Sequence, residues 1–141
     1  MKIKNASLIS IVNTLQKYSN HKLPQKISYA IMRNLECLSK DSNAYTKSLN
    51  KIIDDFKEYY VVGEDGEPLI NNATWLPIVD DEHNADFQKE INDLLDIEID
   101  VSLYTIDQSA FDYDDDKYTP LSAAEIYELQ NVLCFKDVKG E

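Results

Sequence analysis

The sequence predicts an α+β fold: an N-terminal helical hairpin built on one long spine helix, then a small antiparallel sheet and two shorter helices. Three observations predict it. Residues 24–60 carry one unbroken helical pattern of about 35 residues, a rod of about 54 Å at 1.5 Å per residue. Residues 97–104 alternate between apolar and polar side chains, as a half-buried strand does. Ser122-Ala123-Ala124-Glu125 has the spacing of a capping box that opens a helix.

Taken in order, Lys2-Ile3-Lys4 alternates and predicts a short edge strand. Asn5 is placed to cap a first helix over 6–18, whose Leu8, Ile11, Val12, Leu15 and Tyr18 recur at three and four residues. Ser19-Asn20-His21-Lys22 is a turn, and Pro24 suits a first helical position because its missing N–H has no helical partner there. In the spine, Ile31, Leu38, Tyr45, Ile52 and Tyr59 form one seam, and Leu35, Ser42, Leu49 and Phe56 the other, as heptads do. A first helix of about 20 Å cannot cover so long a seam. Part of the 24–60 helix must meet the C-terminal half or pair with a second copy as a homo-oligomer.

Beyond the spine the pattern becomes β-prone at Tyr59-Tyr60-Val61-Val62, and Asp65-Gly66 is a hairpin signal. Residues 68–70 and 73–77 are candidate return strands, held to edges or loops by Pro68 and Pro77. The acidic run Asp80-Asp81-Glu82 suits the N-terminus of a third helix over 84–95, with Phe87, Ile91, Leu94 and Leu95 inward. In the strand that follows, Ile97, Ile99, Val101 and Leu103 form the core face, and Glu98, Asp100, Ser102 and Tyr104 the wet face. Its candidate neighbours are residues 2–4 and 59–70. After the acidic loop 112–116, the fourth helix buries Ile126, Leu129 and Leu133.

With 141 residues, 43% of them hydrophobic, the chain fits a single domain over 1–141. Charge divides it. Residues 1–60 hold ten Lys and Arg against five Asp and Glu, a net of +5; residues 61–141 hold four against twenty-one, a net of −17. The expected plan is a basic helical hairpin over 1–60, an acidic α+β part over 61–135, and a frayed tail over 136–141. Such an acidic chain is not expected to bind nucleic acid directly, since each phosphate contact needs a cation. No apolar run approaches the ~20 residues of a membrane span. The opening Met1–Asn5 lacks the apolar stretch of a secretion signal, which with Cys37 and Cys134 far apart points to reduced thiols and a cytoplasmic site.

Several stretches together resemble a family of small phage and prophage proteins from Gram-positive bacteria. They are Lys4-Asn5-Ala6, Leu23-Pro24, Lys26-Ile27-Ser28-Tyr29-Ala30-Ile31, Arg33-Asn34-Leu35, the run from Phe87 to Leu95 into Glu98-Ile99-Asp100-Val101, and Leu121-Ser122-Ala123-Ala124-Glu125-Ile126. The resemblance covers most of the chain. It implies a phage origin, hence the cytoplasm of a bacterial host, but supplies no activity and no site residues. The chain departs from the family in its longer acidic stretch at 112–116 and in its ending at 132–135.

No catalytic constellation is legible. Cys37, Cys134, His21 and His83 lie in separate elements; packed thiols and surface histidines are expected. There is no HExxH, no GxSxG and no Gly-rich phosphate loop. Asp112, Asp114 and Asp116 match the first three ligand positions of an EF-hand loop, but Lys117 stands where glycine is needed and Ala123 where the closing glutamate is needed. The expectation is a protein that is not an enzyme and takes no cofactor or metal.

What the sequence does present is an acidic face interleaved with tyrosines, and tyrosine is enriched at interfaces. The candidate partner-binding residues are Asp80, Asp81, Glu82, Glu98, Asp100, Tyr104, Asp112, Tyr113, Asp114, Asp115, Asp116 and Tyr118. The expected function is a phage accessory protein that binds a host or phage protein, as an anti-defence inhibitor whose acidic face mimics nucleic acid. The alternative is a small structural or assembly protein of the virion, its charge-split halves stacking head to tail.

Overall fold

A computed structural model describes residues 1–134, in the order β1 (Lys2–Lys4), α1 (Asn5–Tyr18), α2 (Gln25–Asp55), α3 (Asp81–Asp96), β2 (Glu98–Asp100) and α4 (Ala123–Leu133). The frayed tail expected over 136–141 lies outside the described residues. The fold is α+β, with four α-helices among the described residues, one of them long, and a two-stranded antiparallel sheet. No helix among the described residues is long and apolar enough to cross a membrane.

The chain forms two compact units, one of residues 1–42 with 98 onward, the other of Asn43–Ile97. The charge division at 60/61 therefore falls inside the second unit.

The first unit is organised by the stripe of α1. Leu8, Val12, Leu15 and Tyr18 are buried with Leu23, Ile27, Ala30, Ile31 and Leu38 of the next turn and helix, and with Leu129, Val132 and Leu133 of α4. Each large aliphatic side chain taken fully from water contributes about 1.5–3 kcal/mol, so these helix faces dominate the unit's stability. The capping box forms as expected. The Ser122 hydroxyl accepts from the Glu125 N–H at 3.1 Å, and the Glu125 carboxylate accepts from the Ser122 N–H at 2.9 Å. Asn5, expected to cap α1, is instead its first residue and buried; Lys4, in an extended conformation, occupies the cap position but its side chain does not cap the helix. The chain leaves β1 and enters α1 with no residue between, which leaves no position for a separate cap.

β1 pairs with β2 in the register Lys2↔Asp100, Ile3↔Ile99, Lys4↔Glu98. Each lysine lies opposite a carboxylate with the isoleucines between, so charge and apolar pairing select one register. The expected strand over 97–104 is cut short. Ile97, expected in the core, is 50% exposed, whereas Val101 is buried, and Ile99 and Leu103 pack on the core. The strand has only β1 and Met1 to pair with, the Val101 N–H donating to the Met1 carbonyl at 2.8 Å, and beyond Val101 the chain takes other partners, described below.

α2 keeps the heptad. Ile31 and Leu38 are buried, and Leu35, Ser42, Tyr45, Leu49, Ile52, Phe56 and Tyr59 half-buried. It begins with the Pro24 carbonyl accepting from Ile27 and Ser28 at 2.9 and 3.0 Å. It ends at Asp55, short of the expected residue 60, in a 3-10 turn over Lys57–Tyr59. Tyr60 and Val62 are taken up by cross-strand pairing instead, as their β-prone side chains favour.

In the second unit Phe87, Ile91 and Val79 are buried against Leu49, Ile52, Ile53, Phe56, Tyr59, Tyr60, Leu76 and Leu95. Phe56 meets Phe87 edge to face at 5.1 Å, and the Tyr60 hydroxyl donates to the Ile53 carbonyl. α3 starts earlier than expected because Asp80 caps it, accepting from the His83 N–H at 3.0 Å. Three short segments pair through Tyr60↔Val79, Val62↔Pro68 and Ile70↔Pro77. Both prolines, which have no N–H to give, take positions where the ladder needs no donor, since the bonds flanking them come from Gly63, Leu69, Asn71 and Ile78.

Candidate functional site

The acidic loop at 112–118 is held open by its own backbone. Asp115 organises it: its carboxylate accepts from the Lys117 N–H at 3.1 Å, and its carbonyl from the Tyr118 N–H at 3.2 Å. The loop's far end is tied to the turn before α2, where the Thr119 N–H donates to the Lys22 carbonyl at 2.7 Å and the Thr119 hydroxyl accepts from the Lys22 N–H at 3.0 Å. Tyr113 donates to the Thr119 carbonyl at 3.4 Å and meets Tyr118 edge to face at 5.4 Å. Partial burial raises the Tyr113 phenol above its ordinary value, so it stays protonated and a donor.

A hollow of about 290 Å³ results, lined by Tyr113, Asp114, Asp115, Asp116, Tyr118 and the apolar Phe111, Pro120, Leu121 and Ile126. Phe111 is buried and belongs to the same core as α4. An apolar and aromatic floor under an acidic rim suits a guanidinium or ammonium group on an aliphatic stem, by cation–π contact and charge together. Lys117 already shows the mode. Its ammonium lies 5.1 Å from the Tyr118 ring and 3.7 Å from the Asp115 carboxylate.

Of the sequence-predicted residues, Tyr113, Asp114, Asp115, Asp116 and Tyr118 are brought together at this hollow, with Asp112 at the loop's start. The others serve local structure. Asp100 takes the N-terminal ammonium at 2.9 Å, and that bond holds its carboxyl below the ordinary range. Glu98 lies opposite Lys4. Tyr104 belongs to an extended segment docked on α2: its ring stands 4.6 Å from the Arg33 guanidinium and edge-on to Tyr29 at 5.7 Å. Asp80, Asp81 and Glu82 belong to the second unit, where the His83 ring, stacked on Tyr59 at 3.6 Å, binds the Asp80 carboxylate at 2.7 Å. That bond is the main reason the Asp80 carboxyl is held below its ordinary range.

The residues that sequence reasoning missed are the floor: Phe111, Leu121 and Ile126. Their signal was available as apolar side chains flanking the acidic run on both sides. Cys37, expected as a packed thiol, is exposed and donates to the Ser102 carbonyl at 3.3 Å, while Cys134 is half-buried, as are His21 and His83. Among the described residues no three His, Cys, Asp or Glu side chains come together as a metal site would need. No protein-family model, no curated protein and no solved structure matches the chain.

Proposed function

We propose that the chain is a non-enzymatic accessory protein of phage origin that acts inside the bacterial host by binding a host protein through the acidic loop at 112–118. The single observation that carries the reading is the hollow, in which Asp114, Asp115 and Asp116 rim an aromatic and apolar floor. A loop already tied by its own hydrogen bonds loses little further freedom on binding. Its carboxylates would meet the lysines and arginines that a nucleic-acid-binding protein offers to phosphates, and occupy them as an anti-defence inhibitor. Opposite charge would speed the encounter and make it sensitive to salt. The phage origin comes from the sequence resemblance alone.

The test is affinity capture from host lysate at low and moderate salt, with the captured proteins identified by mass spectrometry. The expected result is a nucleic-acid-binding protein that DNA displaces and that is lost on the triple change Asp114→Asn, Asp115→Asn, Asp116→Asn. Recovery of virion proteins or of this chain alone would overturn the reading in favour of a structural role in the particle.

A further inference from the structure

The second unit exposes an apolar surface that its own core does not use. The Val61 N–H donates to the Ile78 carbonyl at 2.8 Å, the Ile78 N–H to the Leu69 carbonyl at 2.9 Å, and the Leu69 N–H to the Val61 carbonyl at 2.8 Å. This closed ring of backbone bonds fixes three aliphatic residues beside one another, each more than a third exposed. Val62 and Ile70, the next residues along two of the segments and so on the opposite face of the extended chain, are 57% and 44% exposed. Buried aliphatic residues of this kind would each add stability, yet all five stay 36–57% exposed.

The loop between Ile70 and Pro77 carries Trp75, 79% exposed and the chain's single tryptophan. Its φ of +61° is in the left-handed region, which a bulky residue rarely adopts. The loop holds it there. The Asn71 carboxamide accepts from the Ala73 and Thr74 N–H groups at 2.8 and 3.2 Å, and the Trp75 N–H donates to the Asn71 carbonyl at 2.8 Å. The Asn71 N–H in turn donates to the Leu76 carbonyl at 2.8 Å. A solvent-exposed tryptophan on a loop fixed by its own hydrogen bonds, joined to segments with exposed aliphatic side chains, has the composition of an interface hot spot, where aromatic anchors carry most of the energy.

Charge selects the occupant. The unit carries four lysines against thirteen Asp and Glu, a net of −9 over residues 43–97. Glu64, Asp65 and Glu67 belong to the hairpin turn between Val62 and Leu69. Exposed tryptophans also serve as stacking platforms for single-stranded nucleic acid and as wedges in anionic membranes. Both are negatively charged and would be repelled. A cationic polypeptide is attracted, and its arginines can stack on the indole.

We propose that the face formed by Val61, Leu69 and Ile78, together with Trp75 on the loop that joins two of these segments, is a docking site for a basic segment of another protein that carries alternating aliphatic side chains, with Trp75 as its anchor. It involves none of the residues of the loop at 112–118 and stands whether or not that loop binds.

The test uses the emission of Trp75 in the full chain, titrated with a synthetic peptide of alternating leucine and arginine. The expected result is a saturable shift to shorter wavelength. Affinity should fall about tenfold in Leu69→Ser and about tenfold in the triple change Glu64→Gln, Asp65→Asn, Glu67→Gln, with unchanged circular dichroism showing that each variant is folded. No shift with this peptide would overturn the proposal. So would an equal shift with a leucine–glutamate peptide, a single-stranded oligonucleotide or phosphatidylglycerol vesicles. A shift that grows with protein concentration alone would assign the surface to a second copy of this chain and overturn it too.

Discussion

Asn34, fully buried on α2, holds the backbone of Tyr104 at both its polar groups: its carboxamide oxygen accepts from the Tyr104 N–H at 2.7 Å and its nitrogen donates to the Tyr104 carbonyl at 2.9 Å. The side chain does for residue 104 what a neighbouring strand would have done. This is why the chain beyond β2 can leave its two-stranded sheet without orphaning backbone groups in the core. Replacing Asn34 by alanine leaves both Tyr104 groups without a partner, and should cost about 2–4 kcal/mol. Asn34→Leu should be no better, because the backbone groups remain. Urea denaturation of each variant checks this, and a loss below 1 kcal/mol in both would show that water replaces the carboxamide (about one ordinary hydrogen bond).

Trp75 offers a gain in stability. Glycine adopts a positive φ at no steric cost, and the indole is too exposed to contribute much packing. Trp75→Gly is expected to raise stability by about 1 kcal/mol, whereas Trp75→Ala, which keeps a Cβ at the same φ, should not. Circular dichroism during denaturation reads both variants without the fluorophore. Equal stabilities would mean the loop relaxes at no cost.

The caps of α3 and α4 predict an acid limb. The Glu125 carboxyl is held below its ordinary value of 4.5, chiefly by the Ser122 N–H, and Asp80 below 3.8, chiefly by the His83 ring. A carboxylate whose value is depressed on folding stabilises the protein in full above its unfolded value. That contribution is lost as pH falls through the folded one. Stability should therefore be level above about pH 5.5 and decline below it. The double variant Asp80→Asn, Glu125→Gln should show a shallower decline in urea midpoints between pH 6 and pH 3. An unchanged slope would assign the acid limb to other carboxylates.

Ser122→Ala should cost about 1 kcal/mol by removing the hydroxyl that accepts from Glu125, and should lower helicity only slightly. A full loss of folding would mean that α4 is far less independent of its cap than its buried face suggests.

The two thiols should differ in reactivity. Cys37 is exposed and Cys134 half-buried against the core of the first unit. A thiol reagent on the native protein should label one cysteine about tenfold faster than the other, and Cys37→Ser should remove the fast phase. Equal rates would place both sulfurs in comparable surroundings.

Local patterns were legible wherever one face of one element decides the outcome. The stripe of α1, the heptad of α2, the inward face of α3 and the capping box of α4 each follow from side-chain spacing along a helix, and all formed. The Lys2-Ile3-Lys4 edge strand was legible too. For the strand after α3 the sequence leaves two candidate neighbours, residues 2–4 and 59–70, and opposite charge across the ladder, Lys2 to Asp100 and Lys4 to Glu98, accounts for the choice. Of the candidate site, the Asp114–Asp116 rim and its two tyrosines were visible as composition.

What the tertiary structure alone decided is where long-range partners intervene. Ile97 has the alternation of a core strand residue, yet it is exposed because β2 begins only after it. Asn34 reads as a polar helix residue, and only its distance to Tyr104 shows it standing in for a strand. Val61, Leu69 and Ile78 lie up to seventeen residues apart, and backbone bonds among three segments join them into one surface. Periodicity reports the environment along one element, within a few residues of chain. Which groups meet across the fold depends on hydrogen-bond satisfaction and on closing loops between distant segments, and neither is written in any single stretch of sequence.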